Sequence, residues 1–357
     1  MNKGDEKTID MDIVDEKVVK LEEVKDEKID GKFKAGLDIG TANLLCAREA
    51  DNGVIIKAQR DAFIDIERND FTKKMLEKMN VQYIIRDNTY YIIGEDSFEL
   101  ANVLNRSTRR PMKNGFISSD EVDAIPIIKI LIESVLGGKA KENELVYYSV
   151  PANPIDSELN VTYHKGMMKS ILESLGYRCK TLIEGHAVVF AEMENSGYSG
   201  IGISFGAGMV NLSVSYRGIP AIEFSVARGG DWIDINSANA LGKEVSRMTS
   251  IKEGGMDINT PKNSDEIAIS LYYQELLRYI LKNIKKKFEK AKDLPHFKNP
   301  VPIVCAGGTS LVGGFIDAFN KVHESMKFPI DISEIRLAGE PLNSVAKGCL
   351  ISSLMDE

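Results

Sequence analysis

Short apolar runs separated by glycine turns occur in two groups along the chain, and each group predicts three consecutive strands. The predicted strands are 35–39, 43–48 and 54–58 in the first group and 200–205, 209–215 and 219–226 in the second. The turn glycines are 13 residues apart in the first group (Gly40 and Gly53) and 12 in the second (Gly206 and Gly218). This spacing indicates a duplicated strand–turn–strand–turn–strand architecture.

Other apolar runs predict helices and buried strands between and after these groups. Helices are predicted at 121–135, with Pro126 in or near the first turn, at 165–175, and at 265–291 with Ser264 as N-cap. Gly176 follows the second helix, where a C′ glycine is expected. Two further strands are predicted at 145–150 and 302–306. The mixture of elements predicts an α/β protein.

Composition and charge exclude several classes of function. The 357 residues suffice for two lobes, and they are 43% apolar and 27% charged, as in soluble globular proteins. No apolar run is long enough for a transmembrane helix or a signal peptide. The net charge of −8 argues against nucleic-acid or polybasic membrane binding. The scattered histidines and cysteines predict free thiols, an absence of zinc and a cytoplasmic location. The cysteines are Cys46, Cys179, Cys305 and Cys349.

Residues 1–33 form a densely charged segment for which two interpretations remain open. The segment contains seven lysines and eleven acidic residues, and its first aromatic residue is Phe33. Such a composition is typical of a disordered tail. The alternative is a partner-binding helix with an apolar stripe of Val14, Val18 and Leu21, which would contact cargo or an adaptor protein.

The first glycine turn carries candidate chemistry, because Asp38 ends a strand immediately before Gly40. Convergent N–H groups at such a turn can bind phosphate, and a carboxylate beside it can hold a Mg²⁺-bound water. Alternatively, Asp38 only accepts hydrogen bonds from the turn. A P-loop is excluded, because the sequence contains no GxxxxGK[ST]. A Rossmann motif also fails, since Asn211 stands where the third glycine belongs and a strand follows.

Nine segments resemble, in order, motifs of the actin-like ATPase superfamily, and in particular of MreB/MamK-type prokaryotic actins. They are LDIGTAN (37–43), RPMKNGFIS (110–118), SVPANP (149–154), TLIEGHAVVFA (181–191), SFGAGMVNLSV (204–214), ARGGDWID (227–234), SIKEGG (250–255), VCAGGTSLVGG (304–314) and GEPLNSVAKG (339–348). The resemblance implies a two-lobed actin-like fold, built from duplicated RNase H-like domains around a nucleotide cleft. It places lobe I at 34–183 with an insert at about 60–112, and lobe II at 184–357 with an insert at about 232–300.

The resemblance also implies ATP and Mg²⁺ as cofactors and assigns residues to them. Asp38 would hold the metal through water, and Glu184 would polarise the attacking water. For Glu184, a purely structural role at a helix start is the alternative. The implied cofactor-binding residues are Gly40, Thr41, Ala42 and Asn43 in the first phosphate loop, Ser204, Gly206, Ala207, Gly208 and Met209 in the second, Lys252 and Glu253 at the ribose or adenine, and Gly307, Gly308 and Thr309 at the adenosine.

Three residues depart from the family pattern. Ser204 replaces the usual second-loop Asp, Met209 replaces a usual Thr, and Gly185 replaces the Pro that follows the catalytic Glu. The missing carboxylate predicts slow hydrolysis with retained nucleotide binding. The resemblance favours an ATP-dependent filament that self-associates head to tail. The alternatives are a non-polymerising nucleotide-binding regulator or assembly adaptor, and a sugar or acetate kinase.

Overall fold

The computed structural model describes residues 17–19, 33–51, 53–79, 81, 83–140, 144–291 and 294–356. These residues separate into two compact units. The small unit comprises 62–109 together with 17–19, and the large unit comprises the other described residues. The predicted stripe residues Val14 and Leu21 lie outside the described residues. Residues 17–19 are a strand and not the alternative helix.

Sixteen strands lie within the described residues. They are β1 (Lys17–Val19), β2 (Lys34–Ile39), β3 (Asn43–Ala50), β4 (Gly53–Arg60), β5 (Phe63–Glu67), β6 (Tyr83–Arg86), β7 (Thr89–Ile93), β8 (Met112–Lys113), β9 (Phe116–Ile117), β10 (Leu145–Val150), β11 (Arg178–Ile183), β12 (Gly200–Phe205), β13 (Val210–Tyr216), β14 (Ile219–Val226), β15 (Val301–Ala306) and β16 (Ile332–Leu337). Both predicted groups of three strands are confirmed, as β2–β4 and β12–β14.

Ten α-helices accompany these strands in the described part of the chain. They are α1 (Asp70–Met79), α2 (Glu95–Val103), α3 (Ala124–Leu136), α4 (Val161–Ser174), α5 (Glu184–Glu192), α6 (Gly230–Leu241), α7 (Val245–Glu253), α8 (Ser264–Lys290), α9 (Phe315–Glu324) and α10 (Ser344–Met355). None of these helices, judged over the residues described, has the length and apolar character that crossing a membrane requires.

Asparagine caps explain two of the three helix starts that the sequence misplaced. The α4 helix begins at Val161, four residues before its predicted start, because the Asn160 side chain accepts a hydrogen bond from Tyr163 N at 3.0 Å. The N-cap of α8 is Asn263 and not the predicted Ser264, since Asn263 accepts from the N–H groups of Asp265 and Glu266. The predicted start of α3 at 121 is also wrong, because the helix begins at Ala124.

The small unit is an antiparallel sheet in the order β1-β6-β7-β5 with α1 and α2. Its own apolar core includes Ile64, Leu76, Tyr90 and Leu100. A separate core of this kind is what allows a short segment to fold as a compact unit.

The large unit contains two five-stranded sheets with equivalent strand orders. The first sheet has the order β11-β10-β2-β3-β4, and the second has the order β16-β15-β12-β13-β14. In each sheet the three strands of the glycine-turn group are antiparallel, and the other two strands are parallel to the first of them. The duplication predicted from glycine spacing is therefore present in the topology.

Two helices lie between these sheets, and each packs on the sheet that it does not follow in sequence. The α5 helix leaves β11 of the first sheet and packs on β12 and β13, whereas α10 follows β16 and packs on β2 and β10. Glycines permit these contacts, because a Cβ at Gly36 would overlap the α10 backbone at Ala346. A Cβ at Gly202 would overlap the α5 backbone at Gly185 in the same way.

Candidate functional site

The turns of the β2–β3 and β12–β13 hairpins have the same hydrogen bonding. Gly40 N donates to Asn43 O at 3.0 Å, and Gly206 N donates to Met209 O at 2.9 Å. Both turns line one cleft of about 580 Å³ in the large unit. A volume of this size lies within the range of small-molecule sites.

Every residue that the sequence assigned to a cofactor or to catalysis lines this cleft. They are Asp38, Gly40, Thr41, Ala42, Asn43, Glu184, Ser204, Gly206, Ala207, Gly208, Met209, Lys252, Glu253, Gly307, Gly308 and Thr309. They come from segments far apart in sequence, so the fold brings them together. Their individual roles remain predictions.

The two glycine turns meet a third turn between β8 and β9. Asn114 and Gly115 have φ values of 52° and 80°, as a tight hairpin turn requires. Gly115 N donates to Thr41 Oγ1 at 2.9 Å. A Cβ at Gly208 would lie only 2.6 Å from the same oxygen, so only glycine fits there without displacing a neighbour. The Met209 side chain is buried beside Gly115.

Asp38 stands at the cleft end of β2 and is held by a serine from the neighbouring strand. Ser149 Oγ donates to Asp38 Oδ1 at 2.8 Å and accepts from Ile39 N at 3.0 Å. Burial raises the pKa of Asp38 to about 6, and the Ser149 hydrogen bond offsets part of this effect. Ser149 therefore fixes one oxygen of Asp38, and Asp38 lines the cleft.

Glu184 is the first residue of α5 and receives a hydrogen bond from the second sheet. Ser204 Oγ donates to Glu184 Oε2 at 2.9 Å. Burial, followed by the negative charge of Asp38, raises the pKa of Glu184, and the polar side chains of Ser204 and Asn211 lower it. A buried carboxyl group that lines the cleft suits general acid–base chemistry.

A polar network built on α6 and α7 forms another wall of the cleft. Lys252 Nζ donates to Asp234 Oδ2 at 2.7 Å and to Gly230 O at 3.1 Å. Thr249 Oγ1 donates to the same Asp234 oxygen at 2.8 Å. The other oxygen, Asp234 Oδ1, is buried and has no hydrogen-bond partner among the described residues. This oxygen could accept a hydrogen bond from a bound molecule.

Gly307 and Thr309 lie just after β15, where this segment contacts the glycine turn of the β12–β13 hairpin. Thr309 Oγ1 donates to Gly206 O at 2.9 Å, and its carbonyl accepts from Tyr273 Oη at 3.0 Å. Gly307 has a φ of 89°, which favours glycine. Leu311 and Leu342 also line the cleft and are 47% and 48% exposed, so they offer apolar surface to a planar ring.

The sequence missed several residues that line the cleft. Arg110 Nη1 lies 3.0 Å from Asp231 Oδ2, in an ion pair between the segment before β8 and α6. Both residues lie in motifs that the resemblance marked, but their side chains were given no role. Arg60 gave no signal at all, because the predicted strand ended at 58 whereas β4 continues to Arg60.

The residues of the cleft fit a magnesium nucleotide. Asp38 offers the hard carboxylate oxygen that Mg²⁺ prefers. The glycine turns leave backbone close to the cavity without intervening side chains, as phosphate binding requires.

Solved structures with the same fold include structures of MamK, MreB5 and EutJ. The MamK double helical filament has 16% identity and a TM-score of 0.68, covering 91% of this chain and 98% of that chain. MreB5 of Spiroplasma citri bound to ADP has 15% identity and a TM-score of 0.63, covering 90% and 96%. The ethanolamine utilization protein EutJ from Carboxydothermus hydrogenoformans has 14% identity and a TM-score of 0.53, covering 89% of both chains. These similarities establish an actin-like ATPase fold.

Comparison at the level of sequence identifies the family. No curated protein matches the chain. A family model described as Volactin matches residues 33–353, which include both sheets and every residue of the cleft. The chain therefore belongs to the Volactin family, and its fold is that of the actin-like ATPases.

Proposed function

We propose that the protein is an ATP-dependent, filament-forming actin homologue that positions cellular cargo in the cytoplasm. One observation carries the proposal: two equivalent glycine turns and two carboxylates, Asp38 and Glu184, line a single cleft. Two of the structural neighbours support it, since one is a MamK double helical filament and another is MreB5 of Spiroplasma citri bound to AMPPNP.

In this proposal the N–H groups of the two turns bind the phosphates from two sides. Asp38 would hold Mg²⁺, and the bound ion would neutralise phosphate charge. Lys252 and Glu253 contact the ribose or adenine. Leu311 and Leu342 would pack against the base, because they are large apolar side chains of the cleft that are nearly half exposed.

Glu184 accepts a proton from the attacking water, which requires an acceptor within hydrogen-bonding reach. Hydrolysis is expected to be slow, since Ser204 supplies no second carboxylate. Filaments then follow from a heterologous contact, in which one surface of a copy binds a different surface of the next copy.

Ser204 also favours a second candidate, a non-polymerising nucleotide-binding regulator or adaptor. Its hydroxyl donates to Glu184, so the position of the usual second-loop carboxylate is occupied by a neutral donor. A protein that binds ATP without efficient turnover could act as a nucleotide-controlled adaptor.

Calorimetry with ATP and Mg²⁺, followed by pelleting and electron microscopy, tests both candidates. We expect saturable binding and pelletable filaments. Binding without filaments at high protein concentration would favour the regulator, and the absence of binding would contradict both candidates.

A matched pair of variants localises the binding. Gly208→Ala places a methyl group against Thr41 and should weaken ATP binding by about tenfold or more, whereas Gly166→Ala adds a methyl group in open space and should leave binding unchanged. Equal affinities for the two variants would argue against phosphate binding at the second turn.

A further inference from the structure

Two buried polar residues of the second sheet converge on Glu184. Ser204 on β12 and Asn211 on β13 are directly opposite each other in the antiparallel pair. Their exposed fractions are 4% and 1%. Ser204 Oγ donates to Glu184 Oε2 at 2.9 Å, and the polar side chain of Asn211 lowers the pKa of the same carboxyl group. Adjacent strands thus place two polar side chains beside one carboxylate.

Asn211 is itself fixed by the first sheet. Its Oδ1 accepts from Ala152 N at 2.9 Å, in the segment that follows β10. Ser225 on β14 anchors the same segment, because its Oγ donates to Ala152 O at 2.8 Å and its N–H donates to Asn153 O at 3.1 Å. Since Asn211 uses its oxygen for Ala152, its amide N–H₂ group is the part that can donate to Glu184. The orientation of Glu184 therefore depends on both sheets.

Charge explains why a hydroxyl suits position 204. Asp38 and Glu184 already place two carboxyl groups in the cleft, and the negative charge of Asp38 acts on Glu184. An aspartate at 204 would add a third negative group and would remove the donor that now binds Glu184. Glu184, having lost its donor, would then be free to turn away.

We propose that Ser204 and Asn211 are positioning residues that hold the Glu184 carboxylate toward the reaction centre. Ser204 is then a functional replacement for the usual second-loop carboxylate and not merely a loss of it. The inference rests on the proposed function, because Glu184 acts only if the cleft hydrolyses a nucleotide.

Variants at position 204 test whether Ser204 positions Glu184 or is only the loss of the usual carboxylate. Ser204→Ala should lower kcat for ATP hydrolysis by between about tenfold and a hundredfold, with KM changed less than about threefold, because a hydrogen bond to a charged group is lost outside the phosphate contacts. Ser204→Thr retains the hydroxyl and should restore most of the rate. Ser204→Asp should hydrolyse no faster than the unchanged protein.

Ser237→Ala is the matched control, since Ser237 is buried and its hydroxyl has no hydrogen-bond partner among the described residues. It should leave kcat unchanged. Asn211→Asp keeps an acceptor for Ala152 and removes the amide donor, so it should reduce kcat in the same direction as Ser204→Ala.

A crystal structure of nucleotide-free Ser204→Ala provides a readout that does not depend on turnover. We expect the Glu184 carboxylate to leave its present position while the two glycine turns stay in place. An unmoved Glu184, an unchanged kcat in Ser204→Ala, or faster hydrolysis by Ser204→Asp would each overturn the inference. Failure of the unchanged protein to bind ATP in calorimetry would instead overturn the proposed function.

Discussion

The two sheets of the large unit share a backbone plan but differ in the polar groups that they present to the cleft. Asp38 and Ser204 occupy equivalent positions, two residues before the turn glycine of each hairpin. In the first sheet, the neighbouring strand supplies Ser149 to hold Asp38. In the second sheet, the residue paired with Ser204 on the parallel strand β15 is Ala306, and the hydrogen-bond partner of Ser204 is Glu184 on α5. The duplicated strands thus determine the positions at which side chains enter the cleft, whereas the identity of each side chain determines the chemistry at that position.

The largest expected effect comes from making the first sheet resemble the second. Asp38→Ser removes the oxygen proposed for Mg²⁺ and should reduce ATP hydrolysis by about 10²–10³-fold, as losing one positioned group at a reaction centre does. Hydrolysis and calorimetry with and without Mg²⁺ measure the effect. Ser149→Ala serves as the comparison, because it removes only the group that orients Asp38. A Mg²⁺ dependence that persists in Asp38→Ser would contradict the metal role.

The next largest effect concerns the close contact that each sheet makes with the helix packed on it. Gly36→Ala and Gly202→Ala each place a methyl group against helix backbone, and each should lower the free energy of unfolding by about 3 kcal/mol. Denaturant unfolding measures this change. Gly166→Ala in α4 is the control, since nothing lies within 4 Å of its added Cβ and it should stabilise by about 0.5–1 kcal/mol. If only one of the two sheet variants were destabilised, the packing of the two helices would not be equivalent.

The two strand groups, their glycine turns and the cleft residues could be predicted from the sequence, because short local segments carry these features. Alternating apolar residues and turn glycines located both strand groups, and the order of the motifs located the cleft residues. The predicted Gly40 and Gly206 turns are present with matching hydrogen bonds. These features depend on residues close together in the chain, so the sequence reports them directly.

Other features depend on contacts between distant segments, and the sequence could not reveal them. The partner of Ser204 is Glu184, and the ion pair of Arg110 joins it to Asp231. The role of Gly36 emerges only when α10 is placed against β2. The starts of α4 and α8 were misplaced for a different reason. Asn160 and Asn263 cap these helices with their side chains, and several nearby polar residues could equally have been the cap.

In the described part of the chain, a buried imidazole beside the first sheet lacks the hydrogen bond that one beside the second sheet has, since His186 Nε2 on α5 lies 3.0 Å from Gly218 O. His164 on α4 is 1% exposed, and neither ring nitrogen has a hydrogen-bond partner among the described residues. Burial lowers its pKa to about 4 from 6.5. The unfolded chain therefore takes up a proton at His164 before the folded protein does. The contribution of His164 to stability is complete above pH 6.5 and falls as the pH decreases toward 4.

Replacing this imidazole should remove part of the acid sensitivity. His164→Phe keeps a ring beside Phe116 and cannot be protonated. The loss of unfolding free energy between pH 7.5 and pH 5 should be smaller in the variant by about 2 kcal/mol. Denaturant unfolding at both pH values measures the difference. Identical pH profiles would show that His164 does not contribute to the pH dependence of the unfolding free energy.

The smallest expected effect belongs to the ion pair between the segment before β8 and α6. The Arg110 and Asp231 side chains are 39% and 29% exposed, so their coupling should be only about 0.2–1 kcal/mol.

The charge of Arg110 also acts on the buried carboxyl group of Asp61. Burial raises the pKa of Asp61, and the Arg110 charge offsets part of this rise. A single Arg110→Gln variant would therefore disturb two carboxylates. A double-mutant cycle with Asp231→Asn, measured by denaturant unfolding, isolates the pair because the Asp61 contribution cancels. A coupling of zero would mean that this ion pair adds nothing to the stability of the folded protein.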